Sequence, residues 1–305
     1  MYRWQSLIGK FIFKEDQILF PGRITDIEGQ PSPAIGNAIS DQRFSGGTIC
    51  GNVRFKSISE LSACQFIVSY QPRTGAFLTA GIGNDNMFVI RSFHGSWTYH
   101  AVGGEKSSLK ADHNYELVVQ VIGSSITLTV DGVDVLVTNL PFVIPDNQVG
   151  LWCRGLDDIV ITEYKVQTRR PVAFVVMQFS SPYNELYSEV VHPICNEFNI
   201  QCKHADETYG PGVIINDIIR QITESRLVIA EISPANANVY YEVGYAHAQN
   251  KPTILIAEKG TKLPFDVSPF RVLFYENSID GKRRIEEGLR KHIEAVQMES
   301  GLGRQ

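Results

Sequence analysis

The pattern of apolar and turn residues changes near Arg169-Arg170-Pro171, and this change constrains the fold more than any other feature. Before it, short β-branched and aromatic segments alternate with turn residues, which is typical of an all-β domain. After it, apolar strand-like runs alternate with amphipathic helical segments, which is typical of a parallel α/β sheet. The sequence therefore predicts two domains, an all-β sandwich at residues 1–168 and a three-layer α/β domain with a parallel sheet at residues 171–305.

Strand-like segments recur at close intervals through the first domain, at residues 10–14, 51–56, 64–70, 87–91, 115–121 and 125–130. The last of these runs into Asp131-Gly132, a dipeptide that favours a tight hairpin, and the chain returns as 133–137. Two packed antiparallel sheets are the natural way to bury such segments. The pattern therefore predicts a β-sandwich.

The order of these segments resembles the concanavalin-like jelly rolls, which include laminin-G-like and glycoside-binding modules. The resemblance rests on the hairpin at 125–137 and on closing strands at 148–153 and 157–166. It implies a carbohydrate or other ligand at the β-sandwich. The aromatic platform for a sugar would come from Trp97, Tyr99 and Trp152, with His94 and Arg91 nearby; the alternative is that these side chains belong to the core or its rim. No pair of carboxylates compels glycosidase chemistry, so we expect this half to be a sensor, binding or assembly module.

Charge and composition exclude several classes of partner. Lys and Arg total 28 against 33 Asp and Glu, a formal net charge of -5, and no basic stripe is present, so nucleic acid is not an expected partner. No apolar run approaches the roughly 20 residues that span a bilayer, so we expect no membrane contact and a cytoplasmic location. The five cysteines lack CxxC spacing and indicate reduced thiols rather than disulfides or zinc ligands.

The second domain carries five strand-like runs and several amphipathic helical segments. The strands are expected at 172–177, 200–204, 227–232, 252–257 and 271–275, and the helices at 184–198, around 214–222, after 236 and at 283–296. The turn Gly210-Pro211-Gly212 lacks the lysine and serine of a phosphate-binding P-loop.

The stretch from Asn236 to Gln249 places one carboxylate, Glu242, among aromatic and small residues just after the third strand. Asn236 or Asn238 can cap the helix that follows. Glu242 then falls near the start of this helix, and its side chain leans back toward the carboxyl edge of the sheet. Open α/β sheets bind their ligands at that edge.

Three blocks in this domain resemble the superfamily that joins nucleoside 2-deoxyribosyltransferases, nucleotide N-glycosidases and bacterial TIR-like domains. The blocks are Val176-Met-Gln-Phe-Ser180 with Tyr183 and Tyr187, then Ala205-Asp-Glu207 through Asp217 and Ser225, and then 229–233 with 236–248 and Lys251-Pro252. The last block is similar to the family pattern NPNVfYELGyAhA…gKP. Glu231 departs from this pattern, because many relatives have Asp at the end of the third strand.

The resemblance implies a flavodoxin/TIR-like fold and a catalytic Glu242 that acts on the anomeric carbon of a ribosyl group. It also implies substrate-binding residues at the carboxyl edge of the sheet: Phe179, Ser180, Ser181, Asp206, Glu231, Asn238, Tyr241 and Tyr245. Asn238 could instead cap the helix, and one of the two tyrosines could belong to the core. No metal and no cofactor is expected, since NAD would be a substrate, and a homo-oligomer is implied because many TIR-like enzymes complete their pocket with a neighbouring copy.

Three functions remain open at this stage. The first is cleavage of the N-glycosidic bond of NAD or a related nucleotide, as in a bacterial antiphage defence effector regulated by the β-sandwich. The second is a nucleoside or nucleotide 2-deoxyribosyltransferase or hydrolase. The third is a non-catalytic protein that binds a nucleotide signal and keeps Glu242 for contact with ribose.

Overall fold

The computed structural model of the protein describes residues 2–25, 31–84, 86–204 and 214–299. Two compact units divide between Arg169 and Arg170. The first unit is a jelly-roll-like β-sandwich and the second is a parallel sheet with helices on both faces. Each unit is described by itself below.

The sandwich consists of an eight-stranded and a seven-stranded sheet, and the strand pairs within both sheets are antiparallel. The strands, in chain order, are β1 (Trp4–Ile8), β2 (Ile12–Phe13), β3 (Gln17–Phe20), β4 (Arg23–Thr25), β5 (Pro31–Phe44), β6 (Gly47–Phe55), β7 (Ala63–Tyr70), β8 (Phe77–Gly83), β9 (Phe88–Phe93), β10 (Trp97–Gly103), β11 (Asn114–Ile122), β12 (Ser125–Val130), β13 (Val133–Asn139), β14 (Asn147–Gly155) and β15 (Ile159–Thr168). The larger sheet has the order β1-β5-β14-β7-β8-β9-β10, with β4 beside β5, and the smaller has the order β13-β12-β11-β6-β15-β3-β2. One single-turn helix, Lys106–Ser108, lies between β10 and β11.

The hairpin predicted from Asp131-Gly132 is confirmed. Val130 pairs with Val133 across the turn. Asp131 and Gly132 both have positive φ values, 50° and 77°. Two successive left-handed residues match the right-handed twist of the flanking strands, which is why this dipeptide favours a two-residue hairpin.

Aromatic side chains cover the face of the larger sheet that points away from the smaller one. Trp152 is 5% exposed and Arg91 is 1% exposed. The guanidinium carbon of Arg91 lies 3.6 Å from the ring centre of Trp97 and 4.6 Å from that of Trp152. The alternative that these residues belong to the core therefore holds for Arg91 and Trp152, because neither offers an open flat surface to a sugar. Among the residues proposed for the sugar platform, Tyr99 is 43% exposed and His94 is exposed as well.

The second unit contains a five-stranded parallel sheet with the order β17-β16-β18-β19-β20. Its strands are β16 (Val172–Val176), β17 (Gln201–His204), β18 (Leu227–Glu231), β19 (Thr253–Glu258) and β20 (Val272–Tyr275). Its helices are α1 (Tyr183–Leu186), which continues through a π-helical turn (Tyr187–Val191) into α2 (His192–Glu197), then α3 (Ile214–Glu224), α4 (Ala237–Ala248) and α5 (Ile279–Glu299).

Apolar residues of alternate strand positions form one core on each face of this sheet. On one face Ile229 packs with the segment from α1 to α2 and with α5, through residues such as Ile194 and Leu289. On the other face Ala230 packs with α3 and α4, through residues such as Ile222 and Val243. The strands are buried on both sides, which explains why they read as continuous apolar runs in the sequence.

The strand order of this sheet reverses between β16 and β18. The first strand of the unit, β16, has the second strand on one side and the third on the other. Chain connections leave the two strands toward opposite sides at this point, which opens a crevice at their carboxyl ends. The order therefore places the expected ligand site at the ends of β16 and β18.

Candidate active site

Helix α4 begins at this carboxyl edge and carries Glu242. The side chain of Asn236 caps the helix, since its Oδ1 accepts a hydrogen bond from the backbone N–H of Asn238 at 2.9 Å. Of the two caps that the sequence allowed, Asn236 is the observed one, so the capping role considered for Asn238 is wrong. Asn238 is exposed in the first turn, where its side chain remains available for another contact.

Glu242 lies on the side of α4 that faces the sheet. Val239, Val243 and Ala246 are buried on this side. Glu242 lies three residues after Val239 and four residues before Ala246. Residues at these spacings share one face of a helix. Glu242 is accordingly half-buried.

Glu231 is the last residue of β18 and is 3% exposed. Its carboxylate accepts hydrogen bonds from the backbone N–H of Ser233 at 3.2 Å, from the hydroxyl of Ser233, and from the hydroxyl of Tyr275 at 3.2 Å. Burial raises the pKa of this carboxyl group, and the hydrogen bonds from Ser233 and Tyr275 oppose that rise. The site therefore contains a carboxyl group that holds its proton more tightly than an exposed glutamate.

Three tyrosines on three different elements lie within electrostatic range of Glu231. They are Tyr183 on α1, Tyr240 on α4 and Tyr275 on β20. Burial raises the pKa of each phenol, and the negative charge of Glu231 raises it further. All three phenols are therefore protonated at neutral pH, and Tyr275 donates its hydrogen bond to Glu231. Tyr240 donates to the backbone oxygen of Ile232 at 3.3 Å.

The side chain of Glu231 points to one face of the sheet, whereas the helix that carries Glu242 covers the other face. Glu231 bonds to Tyr275, which packs in the core shared with α5. Glu242 lies on α4, which packs on the other face. Both carboxylates thus lie toward the carboxyl edge, but they approach it from different sides, and the alternation of side chains along β18 is the reason.

A cleft of about 300 Å³ opens at the same edge, between α1 and the segment that follows β20. Ser181, Glu258 and Tyr275 line it, together with Glu185 and Lys282. Tyr275 joins this cleft to Glu231 through its hydroxyl. Glu242 is not part of its lining.

The loop after β16 places Phe179, Ser180 and Ser181 at the edge, as expected from their position in the sequence. The ring of Phe179 stacks on His204 with 4.3 Å between ring centres. The hydroxyl of Ser180 accepts a hydrogen bond from Gln178 at 3.0 Å, and the hydroxyl of Ser181 donates to Glu185 at 3.0 Å. The three side chains are thus held by local contacts at the edge of the site.

The two predicted tyrosines of α4 differ in their surroundings. Tyr241 is 53% exposed, whereas Tyr245 packs against the core and its hydroxyl accepts a hydrogen bond from Gln249 at 3.4 Å. One of the pair is therefore partly core, as the sequence had indicated. His247 stacks on Phe270 with 4.2 Å between ring centres, which makes it a packed histidine.

Two predictions lie outside the described residues, namely the substrate-binding role of Asp206 and the turn at 210–212. Sequence reasoning missed Ser233, Tyr240, Glu258 and Tyr275. The position of Tyr275 at the end of a strand was the one available signal. In the described part of the chain, no group of three His, Cys, Asp or Glu residues is placed to hold a metal ion. No helix among those same residues is long and apolar enough to cross a membrane.

No protein-family model and no curated protein sequence matches the chain. Among solved structures, the carbohydrate-binding module CBM66 from Bacillus subtilis is similar to this chain, with 14% identity, 54% of this chain and 93% of the module covered, and a TM-score of 0.44. The β-glucanase of Bacillus licheniformis has 10% identity, covers 54% of this chain and 92% of its own, and gives a TM-score of 0.37. The TIR domain of the Toll-related receptor TRR-2 from Hydra magnipapillata has 13% identity, covers 41% of this chain and 97% of its own, and gives a TM-score of 0.34. The strand pairings of this chain define its two sheets in the sandwich and its parallel sheet in the second unit.

Proposed function

We propose that the second unit cleaves the N-glycosidic bond of NAD or a related nucleotide, with Glu242 as the catalytic carboxylate. The observation that carries this proposal is the position of Glu242, half-buried on the sheet-facing side of a helix that begins at the carboxyl edge. The reversal of strand order between β16 and β18 supports a ligand crevice at this edge.

The reaction needs a negative charge close to a sugar carbon. When the bond between C1′ of ribose and the nicotinamide nitrogen breaks, its electron pair goes to the nitrogen, and nicotinamide leaves as a neutral molecule. Positive charge then develops on C1′ and the ring oxygen, and the carboxylate of Glu242 would offset it in a pocket with little water. Water adds to C1′ and releases one proton, which completes hydrolysis.

Glu231 and the tyrosines would supply the contacts that orient the ribose. Hydroxyl donors and an enclosed carboxyl group meet at the end of β18, which is the kind of polar lining that holds a sugar in a fixed position. Because Glu231 has a raised pKa, it would also be able to donate a hydrogen bond at mildly acidic pH.

The test is incubation of the full chain with NAD, followed by mass spectrometry for free nicotinamide. Glu242→Gln keeps the size of the side chain and removes its charge, so we expect about a 10²-fold loss of nicotinamide release. Glu294→Gln changes an exposed glutamate of α5 and serves as the matched control, with release expected to equal that of the wild type. The assay is run over a range of protein concentrations, because the resemblance to TIR-like enzymes implies an oligomer.

Other outcomes would contradict the proposal. Equal release by wild type and Glu242→Gln would remove Glu242 from the chemistry. Base exchange between two deoxynucleosides, with NAD left intact, would point to the transferase. Tight nucleotide binding without any product would instead indicate a signal-binding protein.

A further inference from the structure

The 300 Å³ cleft at the carboxyl edge of the second unit has apolar walls. Leu186 of α1 and Val190 of the π-helical turn form one wall, and Ile285 of α5 forms part of the other. Val190 and Ile285 are 3% and 1% exposed, so the cleft reaches down to the core of that face of the sheet. Its volume is at the lower end of the range for small-molecule sites, which suits one half of a dinucleotide rather than the whole molecule.

Among the described residues, four glutamates line this cleft, and three of them have partners. The pairs are Ser181 with Glu185 at 3.0 Å, Lys282 with Glu189 at 3.0 Å and Lys259 with Glu276 at 2.6 Å. The fourth is Glu258, the last residue of β19, which is half-buried. Its backbone N–H donates to the hydroxyl of Ser233 at 2.6 Å, but its carboxylate has no hydrogen bond or ion pair with any residue that the structure describes. Glu258 is therefore the acceptor that the donors of a ligand would satisfy.

The charge of Glu258 acts on the neighbouring groups of the site. It contributes to the raised pKa of Tyr183, of Glu231 and of Tyr275. Lys282 is the one basic residue of the described lining, and Glu189 already pairs with it. The cleft thus accommodates neutral hydroxyl or amino groups and disfavours a phosphate.

The cleft and Glu242 lie on opposite sides of the end of β18. The walls of the cleft belong to the helices that cover one face of the sheet, whereas α4, which carries Glu242, covers the other face. A ligand that contacts both must cross the carboxyl edge. A dinucleotide has two nucleoside halves joined by a flexible pyrophosphate, so it is the kind of substrate that can do this.

We propose that the cleft binds the adenosine half of NAD and that Glu258 selects against a phosphate on the 2′-hydroxyl of that half. This assignment rests on the proposed function, because it places the nicotinamide riboside half beside Glu242. The adenine would lie between Leu186 and Ile285, and the ribose hydroxyls would donate to the carboxylate of Glu258. In other nucleotide-binding sheets an acidic residue holds the ribose 2′-hydroxyl of NAD, whereas an arginine accommodates the 2′-phosphate of NADP.

The test is isothermal titration of the full chain with ADP-ribose and with its 2′-phosphorylated form, at about 0.15 M ionic strength. ADP-ribose contains the adenosine half and no nicotinamide, so its binding reports on the cleft whether or not the chain cleaves NAD. We expect ADP-ribose to bind about tenfold more tightly than the phosphorylated form, because the added phosphate meets the charge of Glu258. At about 1 M salt, where the screening length is about 3 Å, this preference should shrink.

Glu258→Gln keeps the size of the side chain and removes its charge. It should weaken ADP-ribose binding about tenfold, because a charge-assisted hydrogen bond is lost, and should bind the two ligands with nearly equal affinity. Glu294→Gln, on the exposed side of α5 and outside the cleft, should bind both ligands as the wild type does.

The outcomes separate this assignment from the proposed function. Failure of ADP-ribose to bind, equal binding of the two ligands by the wild type, or a preference that Glu258→Gln leaves intact would overturn the assignment even if NAD is cleaved. The expected preference and its loss in Glu258→Gln, without nicotinamide release from NAD, would support the adenosine site and contradict the proposed reaction alone.

Discussion

The hydroxyl of Tyr275 donates a hydrogen bond to Oε1 of Glu231 over 3.2 Å, joining residues 44 positions apart in the sequence. Tyr275 ends β20 and Glu231 ends β18, with β19 between them. The bond crosses the carboxyl edge of the sheet on the side covered by α5. It links the enclosed carboxyl group to the wall of the 300 Å³ cleft, because Tyr275 lines that cleft.

Replacement of Glu231 should change how the stability of the second unit depends on pH. Burial raises the pKa of Glu231 above its ordinary 4.5, so the folded chain keeps a proton that the unfolded chain has already lost. The unfolding free energy of the wild type therefore falls as pH rises above 4.5 and through the folded pKa. Glu231→Gln has no carboxyl group to titrate at this position, so its unfolding free energy should not fall with pH in this way. From pH 4.5 upward through the folded pKa of Glu231, the variant should therefore gain stability relative to the wild type.

Urea unfolding followed by far-UV circular dichroism at 222 nm checks this prediction, because the long helices belong to the second unit. The three tryptophans lie in the sandwich, so their fluorescence follows the first unit separately. Tyr275→Phe removes a hydrogen bond that lowers the pKa of Glu231. In this variant the decrease of the unfolding free energy with pH should therefore extend to higher pH. A constant difference between Glu231→Gln and the wild type at every pH would contradict the prediction.

Lys251 is a buried lysine that joins α3 to the loop before β19. Its ammonium nitrogen donates to the backbone oxygens of Thr223 and Ser225, at 2.5 Å and 2.8 Å, and the residue is 4% exposed. Burial lowers its pKa from 10.5 to about 7. Between these values the unfolded chain holds a proton that the folded chain has released, so stability should rise with pH, by at most about 1.4 kcal/mol per pH unit.

Lys251→Met should abolish that rise and leave two carbonyl oxygens without a donor. We expect a loss of about 2 kcal/mol at the upper end of the window, where the lysine is neutral in both states. Because the wild type loses up to about 1.4 kcal/mol per pH unit below that end, the difference should shrink and then change sign before pH 7. Unfolding in urea at several pH values measures both effects. A matched control is Lys259→Met, which removes an exposed lysine paired with Glu276 and should change stability by less than about 1 kcal/mol.

Gly244 offers a stabilising substitution next to the proposed catalytic residue. It lies within α4 and is exposed, and a methyl group at this position would meet no atom within 4 Å. A glycine inside a helix is often kept because the sheet or a ligand approaches it closely, but no described residue approaches Gly244. Gly244→Ala should therefore raise the unfolding free energy by about 1 kcal/mol.

The contrasting variant is Gly81→Ala in β8, where the added carbon would lie 2.5 Å from the backbone oxygen of Cys64 and should be strongly destabilising. Thermal melting distinguishes the two. If Gly244→Ala stabilises the chain but lowers nicotinamide release, a ligand or a second copy approaches this glycine during the reaction. If Gly244→Ala were less stable than the wild type, the side chain added at position 244 would not lie in open space.

The cap of α4 provides a test of how the helix start is held. Asn236→Ala removes the side-chain acceptor for the N–H of Asn238 and should destabilise the second unit by about 1 kcal/mol. Asn238→Ala removes an exposed side chain and should have an effect within about 0.5 kcal/mol. Loss of equal stability in both variants would show that the two asparagines share the capping role.

Local patterns predicted many elements of the fold. Strand β12 (Ser125–Val130) has the bounds that its alternating pattern indicated, and β18, α4 and β19 lie within a residue or so of expectation. Each of these segments has a clear apolar period or a turn or cap at its end, so the information is contained in adjacent residues.

Strands with weak local patterns were missed. Strand β5 (Pro31–Phe44) begins with two prolines and contains Gly36 and Asn37, which disfavour strands when taken alone. It forms because β1 and β14 pair with it on its two sides. Strand β8 contains Gly81, whose missing side chain lets the neighbouring β7 backbone approach. Pairing between distant segments decides such strands.

In the candidate site, too, adjacent residues predicted some features and tertiary packing decided the others. The sequence by itself determined that Glu242 lies on a helix following a buried strand, because the strand, the cap and the helix are consecutive. Tertiary structure alone decided that Glu231 points to the opposite face from α4, that Tyr275 donates a hydrogen bond to it, and that Tyr183 and Tyr240 lie within electrostatic range of it. Those groups come from elements far apart in the chain, and only the packing of a sheet brings them within hydrogen-bonding or electrostatic range.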